Sequence, residues 1–264
     1  MLSAAGDRVI CEARRKVGSR PSPFTDPTYL QGLFLYVTSA LRNEAGRKSM
    51  TRWQSQDHYF KRAKKEGFPA RSVYKLDEID RRVRLLRPGQ RVLDLGCHPG
   101  SWLLYCARSV GQRGLVVGVD TLPMSLELPP YVHLLRIDVF ELQPADLHRF
   151  SPTFDVVLSD LAPATTGIRS ADSARSALLF ERALGLAGEL LVPGGHFLGK
   201  VFQGSDFDAL VLSLKRMFRR VRGIRPHATR KESKEVYLLG MERRVEWVPP
   251  ALPVEPSSVP EGGS

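Results

Sequence analysis

Short apolar runs separated by amphipathic segments dominate the chain from about residue 90 onward. Apolar runs of five to seven residues bounded by turn residues are typical of buried strands. Seven such runs are present: RVLDL (91–95), LVVGVD (115–120), HLLRID (133–138), FDVVLSD (154–160), HFLGKVF (196–202), VRGIRP (221–226) and EVYLLGM (235–241). The pattern therefore predicts seven strands.

Amphipathic segments with helical spacing lie before and between these strands. They predict helices over 52–66, 70–86, 101–110, 172–191 and 206–218. In the second of them one apolar face is formed by Val73, Leu76, Ile79 and Val83. We expect Pro88-Gly89 to end this helix and Pro193-Gly194-Gly195 to end the helix over 172–191.

Strands that alternate with helices predict an α/β fold with a doubly wound, mostly parallel, seven-stranded Rossmann-like sheet. The last two strands are joined by a loop without a helix-sized apolar pattern, so they are expected to form a C-terminal antiparallel hairpin. This domain is expected to span residues 51–244.

The two ends of the chain lack this pattern. Residues 1–50 show little periodicity and contain Pro21, Pro23 and Pro27, which break any long helix, so they form a poorly determined extension. Translation could also begin at Met50. The tail over 245–264 is rich in Pro, Ser and Gly and is predicted to be disordered.

Charge and cysteine content narrow the functional class. The formal net charge of +11 suggests a polyanionic partner, which at this point could be RNA, DNA or an anionic membrane surface. Three cysteines without a CxxC motif indicate neither a disulfide framework nor a metal site, and they fit a reducing intracellular compartment. No apolar run approaches the roughly 20 residues of a membrane helix. An organelle transit peptide is disfavoured by Asp7, Glu12 and Asp26.

The segment VLDLGCHPGSW places a glycine-containing loop between the first strand and a helix. Its Gly96 and Gly100 would let the backbone approach a ligand, and the following helix would point N–H groups at it. A dinucleotide fold prefers GxGxxG here, whereas this loop reads D-x-G-x-x-P-G, with Asp94 at its start and Pro99 before the last glycine. An acid suits a cationic amino-acid end, which favours S-adenosylmethionine over NAD.

Two further acids end the next two predicted strands. Asp120 could accept from ribose hydroxyls, and Asp138 could accept from the adenine amino group. Each acid taken singly is more simply explained as a helix or turn cap. Three acids at successive strand ends together with the glycine loop make ligand binding the better interpretation.

A second group of charged residues accompanies the later strands. Asp160 ends the fourth strand in SDLAP, Lys200 lies within the apolar fifth strand, and Glu235 begins the last strand. Lys75 lies on the second basic helix, beside acids that would make it an ordinary solvated residue. Burying Lys200 without a partner would be costly, so it is the one of these residues that by itself suggests a function.

Residues 52–243 resemble the RrmJ/FtsJ family of RNA ribose 2′-O-methyltransferases. The resemblance runs in order through WQSQDHYFKRAKKEGFPARSVYKLDEID, LRPGQRVLDLGCHPGSW, VLSDLAPATTG, GKVFQGSDFD and RKESKEVYLL. It implies a catalytic Lys-Asp-Lys-Glu tetrad at Lys75, Asp160, Lys200 and Glu235. It also implies a cofactor site for S-adenosylmethionine at Asp94, Gly96, Pro99, Gly100, Trp102, Asp120, Asp138 and Asp160.

The tetrad is consistent with the chemistry that the resemblance implies. A ribose hydroxyl must lose its proton as it attacks a methyl group, and Lys200 is the expected base. Lys75 would hold the developing oxyanion, while Asp160 and Glu235 would orient the two lysines. The loop departs from the family's usual GAAPGGW at Cys97 and His98, and Ala164 stands where Asn is usual.

The resemblance implies a cytoplasmic, monomeric enzyme whose partner is rRNA within a ribosomal particle, with a uridine of large-subunit (23S-type) rRNA favoured. Basic clusters over 61–87 and 215–234 flank tetrad residues and are expected to bind phosphates. The alternatives left open are the same reaction on tRNA or another RNA, and a non-catalytic RNA-binding or ribosome-assembly protein on this scaffold.

Overall fold

The computed structural model describes residues 58–229 and 233–245, with side chains from Arg62 onward. These residues belong to one compact unit. The predicted extension over 1–50 lies outside the described residues, as does the predicted tail apart from Val245. None of the helices in the described ranges has the length and apolar character that crossing a bilayer requires.

A mixed sheet of seven strands forms the centre of the described unit, in the order β3-β2-β1-β4-β5-β7-β6. Strands β1 to β5 are parallel, whereas β7 is antiparallel to both β5 and β6. The predicted doubly wound α/β fold with a C-terminal antiparallel hairpin is therefore confirmed. The strands are β1 Arg91–Leu95, β2 Leu115–Asp120, β3 Val132–Arg136, β4 Phe154–Ser159, β5 Leu191–Phe202, β6 Phe218–Ile224 and β7 Glu235–Arg243.

Six helices are described, and the longer ones cover the two faces of the sheet. They are α1 His58–Lys65, α2 Val73–Val83, α3 Ser101–Val110, α4 Pro144–Leu147, α5 Arg169–Leu190 and α6 Phe207–Met217. Because strand side chains alternate between faces, Val92 joins the apolar cluster under α2 and α3, while Leu93 joins the cluster under α5 and α6. The sequence pattern did not predict the short α4.

Pro193-Gly194-Gly195 does not separate a helix from a strand, so that prediction was wrong. Helix α5 ends at Leu190 and β5 begins at Leu191, which pairs with Phe154 of β4. The next β4–β5 pair is Val156 with His196, so the segment 192–195 forms an irregularity in β5. A proline without an N–H is tolerated at such a position because no ladder hydrogen bond is lost.

Helix α2 ends three residues before the predicted boundary at residue 86. Arg84 adopts a left-handed conformation with φ 52°, and its N–H donates to Asp80 O at 2.6 Å. The Asp80 carboxylate then accepts the N–H of Leu86 at 2.8 Å. The side chain of Asp80 thus replaces the helical partner of Leu86 and turns the chain toward β1.

Candidate active site

The carboxyl ends of the parallel strands bring most of the predicted site residues to one edge of the sheet. Asp94 lies on β1, Asp120 ends β2, Asp160 follows β4 and Lys200 lies near the end of β5. Open α/β sheets bind their ligands at this edge. The sequence-predicted residues are therefore placed where a ligand would be expected.

The loop after β1 is held close to its neighbours. Gly96 has φ 79°, and a Cβ there would lie 2.9 Å from Leu161 Cδ2 and 3.1 Å from Leu161 N, so only glycine fits without displacement. The N–H groups of Gly96 and Cys97 both donate to Val119 O, at 2.9 and 3.2 Å. Gly100, with φ 104°, precedes the first residue of α3. The loop thus passes tightly between β2 and the segment after β4.

Asp94 is the one fully buried acid at this edge among the described residues, with 0% of its surface exposed. Neither carboxylate oxygen has a hydrogen-bond partner within the described residues. Burial, followed by the charges of Asp160 and Asp120, raises the pKa of Asp94 well above its usual value. A buried carboxylate of this kind would be stabilised by a cation, so the site fits the amino group of S-adenosylmethionine.

Asp120 and Asp138 both accept backbone hydrogen bonds of their own loops. Asp120 Oδ2 accepts from His98 N and Asp120 Oδ1 from Leu122 N, each at 2.9 Å. Asp138 Oδ1 accepts from Phe140 N at 2.9 Å, two residues beyond the observed end of β3. Each carboxylate keeps free lone pairs, so capping does not exclude a ligand. Their roles toward ribose and adenine stay predictions.

The four residues of the predicted tetrad form two ion pairs. Lys200 Nζ lies 3.0 Å from Asp160 Oδ1 and donates to Asp160 O at 2.6 Å. Lys75 Nζ lies 2.8 Å from Glu235 Oε2, across 160 residues of sequence. The Lys200 side chain is 5% exposed, against 12% for Lys75 and 18% for Glu235. The most deeply buried lysine is thus held by two oxygens of one aspartate.

Tyr237 connects the two pairs and was missed by the sequence interpretation. Its hydroxyl donates to Asp160 Oδ1 at 2.8 Å, and Lys75 Nζ lies 5.8 Å from its ring centre. It faces Lys200 directly in the β5–β7 ladder. Complete burial raises the pKa of Tyr237 far above its usual value, which keeps the hydroxyl a neutral donor. Its position two residues after Glu235 on one strand places both side chains on one face and could have indicated it.

Trp102 supports the same group from α3. Its indole N–H donates to Ser72 O at 2.9 Å, immediately before α2, and its ring lies 5.7 Å from the Tyr237 ring. Trp102 is 3% exposed. These contacts fix the start of α2, which carries Lys75. They give Trp102 a packing role, and the predicted contact with the cofactor stays a prediction.

The residues that depart from the family pattern occupy different environments. Cys97 is buried in the apolar cluster under α2 and α3, and burial raises the pKa of its thiol, so it is an unreactive apolar filler. His98 is exposed, and its backbone N–H holds Asp120. Pro99, the next residue, is half-buried. Ala164 is exposed, and its carbonyl accepts from Arg175 at 3.2 Å.

The two basic clusters are partly neutralised by neighbouring acids. In the first, Arg62, Arg81 and Arg82 pair with Glu66, Asp77 and Glu78, one helical turn away in each case. In the second, Arg220 pairs with Glu242, and Arg230 and Lys231 lie outside the described residues. Exposed cations on the described chain include Lys64, Lys65, Lys215, Arg216, Arg219 and Arg222.

Comparisons with known proteins agree with this geometry. Residues 68–243 match the family described as FtsJ-like methyltransferase. The chain is 53% identical over 190 residues to ribosomal RNA large subunit methyltransferase E of Syntrophobacter fumaroxidans, covering 72% of this chain and 96% of that protein. The protein of the same name from Desulfatibacillum aliphaticivorans is 46% identical over 198 residues, or 75% and 95% of the two chains.

A solved structure shows the same fold. It is that of a Plasmodium falciparum protein described as a ribosomal RNA methyltransferase, which superimposes with a TM-score of 0.60 at 25% identity. The alignment covers 67% of this chain and 98% of that one. The likeness therefore extends over nearly all of the solved protein.

Proposed function

The chain belongs to the FtsJ-like methyltransferase family, and on that premise we propose that it methylates ribose 2′-hydroxyls of large-subunit ribosomal RNA. Its cofactor is S-adenosylmethionine, which supplies a methyl group on a sulfonium sulfur. The relatives that match most of this chain carry the name ribosomal RNA large subunit methyltransferase E. A uridine of 23S-type rRNA is the nucleotide that we favour.

The buried Lys200–Asp160 pair, with Tyr237 on the same carboxylate oxygen, is the observation that carries the proposal. A hydroxyl that attacks a methyl carbon loses its O–H proton while the O–C bond forms and the C–S bond breaks. We assign the proton to the amine of Lys200, which must be uncharged when it accepts. Asp160 and Tyr237 fix the position of Lys200 Nζ, so the amine needs little further alignment when the reaction begins.

We assign to Lys75 the role of stabilising the ribose 2′-oxygen, which becomes negative as its proton leaves. Its ammonium is held by Glu235 at 2.8 Å and lies at the side of Tyr237, so it is preorganised and only slightly exposed. A fixed cation of this kind stabilises developing charge more than water does, because it need not reorient. Glu235 is then the residue that orients Lys75.

Binding of the cofactor is assigned to the loop after β1 and the acids around it. Asp94 would bind the amino group, because both of its oxygens are buried and lack a partner among the described residues. Asp120 would accept from the ribose hydroxyls and Asp138 from the adenine amino group. Gly96, Pro99, Gly100 and Trp102 would shape the loop, and the backbone of Asp160 would close the site from β4.

We further propose that the substrate is rRNA within a ribosomal particle and that the enzyme acts as a monomer in the cytoplasm. The exposed cations of the two basic clusters support an RNA partner, since phosphate contacts supply most sequence-independent affinity for nucleic acids. Sequence choice would then come from the particle that presents the target nucleotide.

A substrate panel tests the proposal. Purified large subunits, deproteinised rRNA and tRNA from a strain that lacks the gene are each incubated with the full chain and labelled S-adenosylmethionine. Mass spectrometry of the nucleosides then locates the label. We expect 2′-O-methyluridine from large subunits. Label on tRNA alone would assign the reaction to another RNA, and no label on any RNA would contradict the proposed activity.

A further inference from the structure

A cavity lies at the end of the sheet opposite to the candidate active site. Its volume is about 270 Å³. The lining residues come from the end of α2, the loop to β1, the irregular start of β5 and the β6–β7 hairpin: Val83, Arg84, Leu85, Arg87, Gly194, His196, Arg220, Met241 and Glu242. Three arginines and one acid therefore surround it.

Two of these arginines have no partner in the part of the chain that the structure describes. Arg220 is paired with Glu242, which leaves the guanidinium groups of Arg84 and Arg87 as uncompensated charges at the rim. Most other arginines of α1 and α2 are neutralised by an acid one turn away. Unpaired guanidinium groups that converge on a cavity bind phosphate or carboxylate well, because each offers a planar set of donors.

One lining residue, His196, adds a neutral donor. His196 Nδ1 accepts the backbone N–H of Glu242 at 3.2 Å, so the ring proton of the neutral imidazole lies on Nε2. Burial, followed by the charge of Arg87, lowers the pKa of His196. The imidazole therefore adds a hydrogen-bond donor without adding a charge at neutral pH.

The backbone around the cavity is unusual as well. Arg84 with φ 52° and Glu242 with φ 61° are the non-glycine residues with positive φ over 58–229 and 233–245. Gly194, with φ 80°, lines the same cavity. A left-handed conformation costs a non-glycine residue about 1–2 kcal/mol. Such conformations concentrate where a surface is shaped for a ligand.

The cavity and the candidate active site share one face of the sheet. His196 and Lys200 lie four residues apart on β5, about 13 Å at the rise of a strand. Arg84 and Lys75 lie at the two ends of α2, also about 13 Å apart at the rise of a helix.

We propose that the cavity bounded by Arg84, Arg87 and His196 is a phosphate-binding site for the substrate RNA. The inference rests on the proposed action on RNA. It adds an anchoring point about 13 Å along β5 from Lys200, which binds the RNA backbone rather than a base. The same chemistry would accept free inorganic phosphate, so the test separates the two sources.

The first arm of the test measures affinity for an rRNA fragment by fluorescence anisotropy at several salt concentrations. The variant is Arg84→Gln/Arg87→Gln, the matched control is Arg113→Gln/Arg149→Gln, and Arg84→Lys/Arg87→Lys tests rescue. Each lost phosphate contact lowers the slope of log K against log salt by roughly 0.7–0.9. We expect the slope to fall by roughly 0.7–0.9 in the first variant, as for one lost phosphate contact, and to change little in the control and the lysine variant. Equal slopes in variant and control would overturn the inference.

The second arm follows the imidazole signals of His196 by NMR in the full chain, assigned with His196→Gln. A shift with inorganic phosphate and with RNA indicates a general phosphate site, and a shift with RNA alone indicates a site for the phosphodiester. If neither ligand shifts the His196 signals, the inference is overturned. Unchanged S-adenosylmethionine affinity shows that each variant is folded. If the proposed action on RNA were wrong, the wild-type chain itself would show no salt-dependent RNA binding. That result differs from a loss of binding in the Arg84→Gln/Arg87→Gln variant alone.

Discussion

Lys200 and Tyr237 face each other across the β5–β7 ladder, and both contact the same oxygen of Asp160. Lys200 Nζ forms an ion pair with Asp160 Oδ1 at 3.0 Å, and the Tyr237 hydroxyl donates to that oxygen at 2.8 Å. The shared oxygen couples the two side chains, because movement of the Asp160 carboxylate displaces both contacts. The position of Lys200, the proposed base, therefore depends on β7, which pairs antiparallel with β5.

Tyr237→Phe removes only the hydroxyl that holds Asp160. The ring, its contact with Trp102 and the cation above it remain, so folding should be preserved. A hydrogen bond to a charged group contributes about 1.5–3 kcal/mol, and 1.36 kcal/mol corresponds to a factor of ten in rate. We expect kcat to fall about tenfold or more, with KM for S-adenosylmethionine nearly unchanged. A wild-type kcat in steady-state assays would remove Tyr237 from the positioning group.

Asp94→Asn tests the buried carboxylate. Because the pKa of Asp94 is raised on folding, the unfolded chain ionises first as pH rises, so stability falls from the unfolded pKa near 4 up to the folded value. The cofactor-free variant should therefore melt at or above the wild-type temperature at pH 7, and its melting should depend less on pH. Its affinity for S-adenosylmethionine should fall at least tenfold in calorimetry. A melting temperature well below wild type would contradict the unpaired state of Asp94.

Asp120→Ala should weaken S-adenosylmethionine binding about tenfold or more, because it removes the acceptor assigned to the ribose and releases two loop N–H groups. Calorimetry measures the affinity, and melting temperature measures the cost to the loop. Asp138→Ala, at the acid that we assign to the adenine and that also caps its own turn, is measured in the same way. Unchanged affinity in the first variant would take Asp120 out of the site.

Gly96→Ala and Gly89→Ala separate backbone strain from close packing. Both glycines have similar positive φ, 79° and 83°, yet a Cβ at Gly96 would lie 2.9 Å from Leu161 Cδ2 whereas nothing lies within 4 Å at Gly89. Both variants share the strain of about 1–2 kcal/mol. We expect Gly96→Ala to melt several degrees lower than Gly89→Ala and to bind S-adenosylmethionine more weakly. Equal melting temperatures would show that the loop is not tightly packed.

The local parts of the fold could be predicted from the sequence. The strands 91–95 and 115–120 and the helix 101–110 agree with the structure because each is a short apolar run bounded by glycine or proline. The placement of β7 between β5 and β6 could not be predicted, since it depends on pairing between distant segments. The start of β5 was predicted five residues late because an irregular strand tolerates Pro193 and Gly194.

The residues of the candidate site likewise divide into those that local sequence predicts and those that depend on pairing between distant segments. Asp94, Asp160 and Lys200 could be placed at strand ends from their neighbours in sequence. The pairing of Lys75 with Glu235 joins a helix to a strand, and no local pattern carries that information. Tyr237 was overlooked because a tyrosine in an apolar strand is indistinguishable from core until its hydroxyl partner is known.

The central claim is that Lys200 accepts the proton, and Lys200→Ala tests it most directly. Single-turnover methyl transfer to large subunits is measured beside the affinity for S-adenosylmethionine, with the exposed Arg113→Ala, outside both basic clusters, as control. General base catalysis contributes about 10²–10⁴ in rate. The account predicts a loss of at least 100-fold in transfer, with cofactor affinity within about threefold of wild type. Transfer within about threefold of the wild-type rate, in a variant with normal melting, would contradict it.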